Sequence, residues 1–494
     1  MARTAVVIGS GFAGLSASAS LARKGFEVTV LEKNDSAGGR ARVWRDGGFV
    51  FDLGPSWYWM PEVFEQYFAT FGKRVEDYYD LRRLDPSYQV IFDERTTWQV
   101  PAGMGALRAM FEEIEPGAGA ELDRFLAEAR MKYELGMNDL VRTPALSWME
   151  YAKWRVVSGM LTSSVFKSLR SHVKKHFKDE RLRMLLEFPV LFLGAAPQNT
   201  PALYSLMNHA DMALGTWYPM GGMGRLVDAM VHVAEEQGVR FSFNTTVSEI
   251  MVREGRAVGV RTRDGELLAD VVVAAADYHH VEADLLTSTE RDHSERYWQS
   301  RSMAPSSLIF YFGIDRRLPE LLHHNLFFDE ALDQHSHEIY TDPQWPSKPL
   351  MYVCCPSITD PSVAPSGMEN LFVLIPIAVG LSDTPEVREH YKAMVLRKLA
   401  ARTGVPLAQH IVVERSYCIN DFVNDYNAYR GNAYGLANTL KQTAVLKPRM
   451  KSKRVTGLYF AGQLTAPGPG VPPSLISGQV VADLIAKDLQ FSHA

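Results

Sequence analysis

Cysteine is nearly absent: Cys354, Cys355 and Cys418 are the only three in 494 residues. So few thiols build no disulfide framework, and their spacing sets out no metal site. The sequence therefore predicts no metal and a reducing, cytoplasmic setting. Also missing is an uninterrupted apolar run of the roughly 18 residues that a membrane-spanning helix needs. "LLEFPVLFLGAAP" comes nearest, but it is short and holds Glu187. There is no large surplus of either charge. The net charge is −5, which argues against nucleic acid as a partner. No repeat of solenoid period and no low-complexity tract breaks the chain. The first strand is expected from about Thr4, leaving no room before it for a targeting segment. What remains is a globular composition, 46% hydrophobic and 22% charged, in a chain long enough for more than one domain.

What is present begins at once. "TAVVIG" at 4–9 is a β-branched run of the kind that forms a buried parallel strand. "GSGFAG" follows and sets Gly9, Gly11 and Gly14 in the spacing G-x-G-x-x-G. An Ala- and Leu-rich helical stretch runs to about Lys24, and "EVTVLE" closes a second strand at Glu32. Each part has a physical reason. Gly9 permits a tight turn, Gly11 lets a pyrophosphate approach the backbone, and Gly14 lets the helix pack on the strand. The helix N-terminus offers free N–H groups and a positive dipole end. Glu32 can accept hydrogen bonds from ribose hydroxyls. These elements occur in the right order, so a dinucleotide site is expected over residues 9–14, with Ser10, Phe12 and Ala13 between the glycines.

Further on, residues 100–140 carry apolar residues at helical spacing. From Tyr151 to Arg183, nine basic side chains face two acids, a local balance of +7, with Trp154, Met160, Leu161, Val165 and Phe166 interleaved. A stretch of this kind can lie on an anionic bilayer or form a solvated basic face. "WYPMGGMG" at 217–224 is a glycine-rich turn that leads into a helix, and Asp264-Gly265 marks a hairpin. His279 and His280 read as loop or core polar contacts. Short strands crowd residues 301–425, and a mostly antiparallel sheet is expected there. The C-terminal "GLYFAGQLTAPGPGVPPSLISG" places a buried strand, a Pro/Gly-rich loop and a helix from about Ser474 in succession. Such a loop lets the backbone approach a flat ring closely.

Several blocks carry a resemblance. "LEKNDSAGGRARVWRDGGFVFDLGP" holds Gly38, Gly39 and Arg40 just beyond the acidic residue, as in the flavin amine oxidase-like superfamily. "FDLGPSWYWMP", "YPMGGMG", "NDFVNDYNAYRGNAYGLANTLKQTAVLKPRM" and "GQLTAPGPGVPP" resemble, in order, blocks of the bacterial and fungal-type phytoene desaturases within that superfamily. The resemblance covers nearly the whole chain. It implies an α/β fold, in which a Rossmann-type FAD-binding domain carries an inserted mixed-sheet substrate domain and a helical, membrane-contacting region. The implied division gives residues 1–75, 217–300 and 426–494 to the FAD domain, 76–216 to the helical region and 301–425 to the substrate sheet. By the same resemblance Lys33, Gly39, Arg40, Gly54, Ser56, Val247, Gly462, Val471 and Pro472 join the FAD site.

The implied substrate is a long polyene hydrocarbon such as phytoene, collected from a membrane surface, with oxygen or a quinone as final electron acceptor. Related 3,4-desaturases and isomerases share the pattern, and a flavin amine oxidase is the more distant alternative. Trp57, Tyr58 and Trp59 are then expected to wall an apolar tunnel, since aromatic side chains offer broad apolar faces. No catalytic side chain is assigned: Asp52 lies close to the flavin loop, but a loop-capping carboxylate describes it better.

Overall fold

A computed structural model describes residues 2–151 and 167–491. Five strands form a wholly parallel sheet in the spatial order Leu458–Phe460, Val271–Ala274, Arg3–Ile8, Phe26–Leu31, Arg240–Ser242. Residues from the start, the middle and the end of the chain thus share one sheet. The strand Val271–Ala274 is buried along its whole length, as a parallel strand covered on both faces must be. The helix Phe12–Arg23 crosses from the first strand to the second and packs along the C-terminal helix Val471–Phe491. A three-stranded antiparallel meander, Val247–Arg253, Arg256–Thr262 and Gly265–Leu268, lies beside this layer, and its second hairpin turns at Arg263 and Asp264.

The second layer is a sheet of seven strands. Ser306–Ile314 pairs antiparallel with Glu369–Ile377, both almost entirely buried, and on its other side with the edge strand Ile411–Tyr417. His324–Phe327 and Met351–Cys354 extend it. Two strands from much earlier in the chain, Tyr88–Ile91 and Thr97–Val100, complete one edge, the first of them parallel to His324–Phe327. The sheet is therefore mixed, and part of it comes from within 76–216.

The helices Met104–Ile114 and Ala118–Leu135 fill the region expected to be helical. Ala118–Leu135 packs on Leu206–Asn208 and on Leu169–His176, which in turn packs on Glu180–Glu187. Lys153, Trp154, Arg155, Met160, Leu161, Val165 and Phe166 of the basic stretch lie outside the described residues. Within its described part, Lys167, Lys174, Lys175 and Lys178 are exposed, whereas Arg170 pairs with Glu187 and Asp333 and Arg181 with Asp179. Among the described residues, no helix is long and apolar enough to cross a membrane.

Candidate active site

The two layers enclose a cavity of about 390 Å³. At one end, the strand Arg3–Ile8 stops and the chain turns through Gly9 to Gly11 into the helix Phe12–Arg23. No side chain caps this helix, so the N–H groups of its first turn stay open to a ligand. A Cβ on Gly11 would project toward the cavity with only Gly39 Cα near it, at 3.9 Å. Gly14 differs: a Cβ there would sit 2.0 Å from the carbonyl oxygen of Gly9. Gly14 therefore serves the helix–strand contact and does not line the cavity, while the other fifteen residues expected at the FAD site do.

Glu32 is buried, and its carboxylate is already well served. One oxygen accepts from the Ser10 N–H (2.9 Å) and Oγ (2.8 Å), the other from the N–H and side-chain amide of Asn34. A carboxylate offers about four acceptor positions. Ribose hydroxyls must therefore displace or share with one of the side-chain donors. Lys33 is held by the carbonyl of Asn424 and by Asn427 Oδ1, and burial lowers its pKa. Arg40 donates to the Asn432 carbonyl and stacks over Tyr426 at 5.1 Å. Its Nε is buried with no hydrogen-bond partner. A buried, unpaired guanidinium donor facing a cavity fits an anionic group such as a pyrophosphate.

At the far side, the helix Val471–Phe491 begins three residues earlier than the sequence predicts and carries Pro472 and Pro473 in its first turn. Proline suits that position but has no N–H to give. Of these three residues only Val471 can donate to a flavin ring, and the favourable dipole end remains.

The remaining wall is apolar. Trp57, Trp59 and Met60 line it together with Met207, Ile309 and Leu374. Trp57 and Trp59 meet at 5.1 Å between ring centroids. Tyr58, expected with them, faces the other way. It is 1% exposed, packs on Phe64 and bonds the hydroxyl of Tyr79. Alternation along an extended segment sends neighbouring side chains to opposite faces, so the aromatic run splits between wall and core.

Trp59 is braced from behind by a network that the sequence does not announce. Its Nε1 donates to Thr216, whose hydroxyl donates to Asp211, which also accepts from Tyr88. Burial pushes the Asp211 pKa up to about 7. Trp57 stacks flat on His324, with ring centroids 4.1 Å apart. His324 Nδ1 meets the Tyr352 hydroxyl at 2.7 Å, and that hydroxyl meets Ser56 Oγ at 2.9 Å. Ser56 and Tyr352 both line the cavity. Asp52 lies beneath this surface. It accepts from the N–H groups of Met223 and Gly224 and so caps the helix Gly224–Glu236, while desolvation raises its pKa to about 6. His279 and His280 occupy the first turn of the helix Tyr278–Asp284 and pair with Glu295 and Asp284.

A parallel sheet with an open glycine turn, joined to an apolar chamber under a second sheet, is the frame of a dinucleotide-dependent enzyme with an apolar substrate site. The family profile described as flavin containing amine oxidoreductase matches residues 12–486, and the chain belongs to that family, with FAD as its cofactor. Within it, the chain is 42% identical over 98% of both chains to a carotenoid 3,4-desaturase of Haloarcula japonica. It is 35% identical to the zeta-carotene-forming phytoene desaturase of Myxococcus xanthus, over all of this chain and 95% of that one. These relatives place it among the carotenoid desaturases. Putrescine oxidase shares the fold alone, at 15% identity and a TM-score of 0.63 over 98% of this chain and 99% of that one.

Proposed function

We propose that the protein introduces double bonds into a long acyclic polyene, with the apolar chamber as its binding site. The observation that carries this reading is the wall of Trp57, Trp59, Met60, Met207, Ile309 and Leu374, continuous with the dinucleotide turn. Aromatic faces alone would also suit an amine, but the aliphatic Met60, Met207, Ile309 and Leu374 beside them suit a hydrocarbon, which needs only shape and dryness. FAD, when bound, would supply two-electron acceptance for the hydride lost from one carbon of a CH2–CH2 unit beside a conjugated system, the neighbouring carbon releasing its proton to solvent as the double bond forms. The chain's own residues exclude water and hold the polyene. Trp57 and Trp59 do so as rigid plates, each fixed by the partners behind it. Two substrates suit this reading: phytoene, and a more unsaturated carotenoid taken to its 3,4-desaturated product. The 42% identity to a 3,4-desaturase favours the second. Oxygen or a quinone closes the cycle as electron acceptor.

Peripheral attachment to a membrane follows from the same chemistry, because such substrates dissolve in lipid. It is supported by Trp148 and Met149, which are 64% and 84% exposed, and by the exposed lysines at 167, 174, 175 and 178. Basic and aromatic groups together favour an anionic interface. Flotation with anionic liposomes at low salt, weakening at high salt, is the expected behaviour, and protein that stays at the bottom of the gradient at low salt contradicts it.

The test of the reaction is anaerobic mixing of FAD-loaded enzyme with polyenes in liposomes. Flavin bleaching with a more conjugated pigment supports the desaturase. Bleaching with phytoene selects the first substrate, and bleaching with only a later carotenoid selects the second. No bleaching with any polyene, but bleaching with amines, overturns the reading.

A further inference from the structure

Behind Trp57, one layer away from the chamber, His324 backs the tryptophan ring and stands beside two side chains that have no role in the reading above. His323, His324 and Cys354 are 4%, 0% and 3% exposed. Pairing of the strands His324–Phe327 and Met351–Cys354 puts His324 directly opposite Cys354, so both side chains leave the sheet on one face. One ring nitrogen of each histidine and the cysteine sulfur all lie within 4.8 Å of one another.

The hydrogen bonding is lopsided. His323 Nδ1 meets Thr359 Oγ1 at 2.8 Å, and His324 Nδ1 meets the Tyr352 hydroxyl at 2.7 Å. The Nε2 of both rings is buried with no partner. Two orphaned imidazole nitrogens in one core are costly and call for an occupant. A hydroxyl on Nδ1 is the arrangement that holds a metal-bound histidine in its tautomer and orientation. The surrounding charge also suits a cation: Asp360 lies close enough to His323, and Asp52 to Cys354, to act on them electrostatically. A second group, Glu128, His172 and His176, meets the same distance condition. There, however, Lys132 Nζ stands 3.2 Å from His172 Nε2, where a cation would be repelled.

We propose that His323, His324 and Cys354 bind a zinc-class divalent cation, which ties the two strands together behind the Trp57 wall. Imidazole and thiolate both suit such an ion; the three groups leave the fourth position of a tetrahedral zinc to a water, and the same set in a trigonal arrangement would suit copper. Binding releases the Cys354 proton to solvent and leaves no redox change to balance. The ion would fix His324, the plate on which Trp57 stacks, without touching substrate.

The experiment is elemental analysis of the holoenzyme, purified without chelator, then after addition of Zn2+ and desalting. The expected result is about one zinc per chain with FAD content unchanged. X-ray absorption at the zinc edge should show one sulfur and two imidazole nitrogens. Thr359→Val, which removes the hydroxyl on His323, should weaken zinc about 10- to 100-fold, and Cys354→Ala should remove it. X-ray absorption on the unaltered protein stands even if Cys354→Ala fails to fold. A protein free of metal both as purified and after zinc addition overturns the proposal, as does bound zinc with no sulfur neighbour.

Discussion

The two ends of the cavity are built on different principles. The nucleotide end is organised by backbone: an open glycine turn, an uncapped helix and a loop at Gly38–Arg40 fall within forty residues of sequence, and Val247 and Gly462 join them from later in the chain. The polyene end is made by side chains from remote segments, with Trp57 and Trp59 meeting Met207, Ile309 and Leu374 across the fold. Backbone sites tolerate almost no added volume, because nothing there can swing aside. A side-chain wall is adjustable, and the specificity of the enzyme is expected to reside in it.

The sharpest way to test this contrast is a pair of glycines three residues apart. Gly14→Ala puts a methyl 2.0 Å from a backbone carbonyl that has nowhere to go. It should leave no folded, FAD-loaded protein, as judged by soluble yield and flavin absorbance. Gly11→Ala faces the cavity instead. It should give folded protein by circular dichroism that has lost its FAD. If both variants fold and keep FAD, the nucleotide end is not the close-fitting cradle described here.

The next effect lies at the other end. Trp59→Ala should retain FAD and lose turnover of polyene by roughly 10- to 100-fold, because an unplaced substrate forfeits its orientation. Trp59→Phe keeps a ring but drops the bond to Thr216, and its loss should be smaller. Unchanged turnover in Trp59→Ala would move the substrate elsewhere. Arg40→Met acts in the opposite sense. It removes the unpaired buried Nε and should weaken FAD about tenfold, near 1.4 kcal/mol, with the polyene wall intact.

These two ends also differ in how far they can be read without coordinates. Glycine spacing, the strand before it and Glu32 after it are local, and local patterns survive in a sequence. Gly14 was expected to serve packing and does so. The wall is another matter. "SWYWM" announces aromatic bulk, but not which faces point inward, and Tyr58 turns into the core. Met207, Ile309 and the Trp59–Thr216–Asp211–Tyr88 network come together only through the fold. The same holds for His323, His324 and Cys354. Their separation in sequence matches no metal motif, and strand pairing alone makes them neighbours. The early start of the C-terminal helix was hidden by its prolines, which read as loop but suit a first turn.

Asp52 tests what lies between the ends. Its carboxylate caps the helix Gly224–Glu236 from a strand far away in sequence. Asp52→Ala should cost about 1–2 kcal/mol of stability, the usual price of a lost cap. Its effect on the substrate KM should be small, since Asp52 does not line the cavity. A large fall in kcat with unchanged stability would instead make Asp52 part of the chemistry.

The last effect, one that pH should switch on and off, is expected at Lys447, behind the Pro/Gly loop that both ends share. It is 4% exposed, its Nζ has no hydrogen-bond partner, and a Cβ on Gly468 would lie 3.3 Å from that nitrogen. Burial pulls its pKa down from 10.5 to about 7. The unfolded chain holds this proton up to about 10.5, whereas the folded chain releases it near 7. Between those values the unfolded state binds more protons, so stability rises with pH, and the cost of burying the charge is full below about 7. Lys447→Met should therefore raise the melting temperature most at pH 6, on the order of 2 °C, and least near pH 10. Equal gains at both pH values would mean that the amine is paired in solution, and that the shared loop rests on a charge contact instead of on packing.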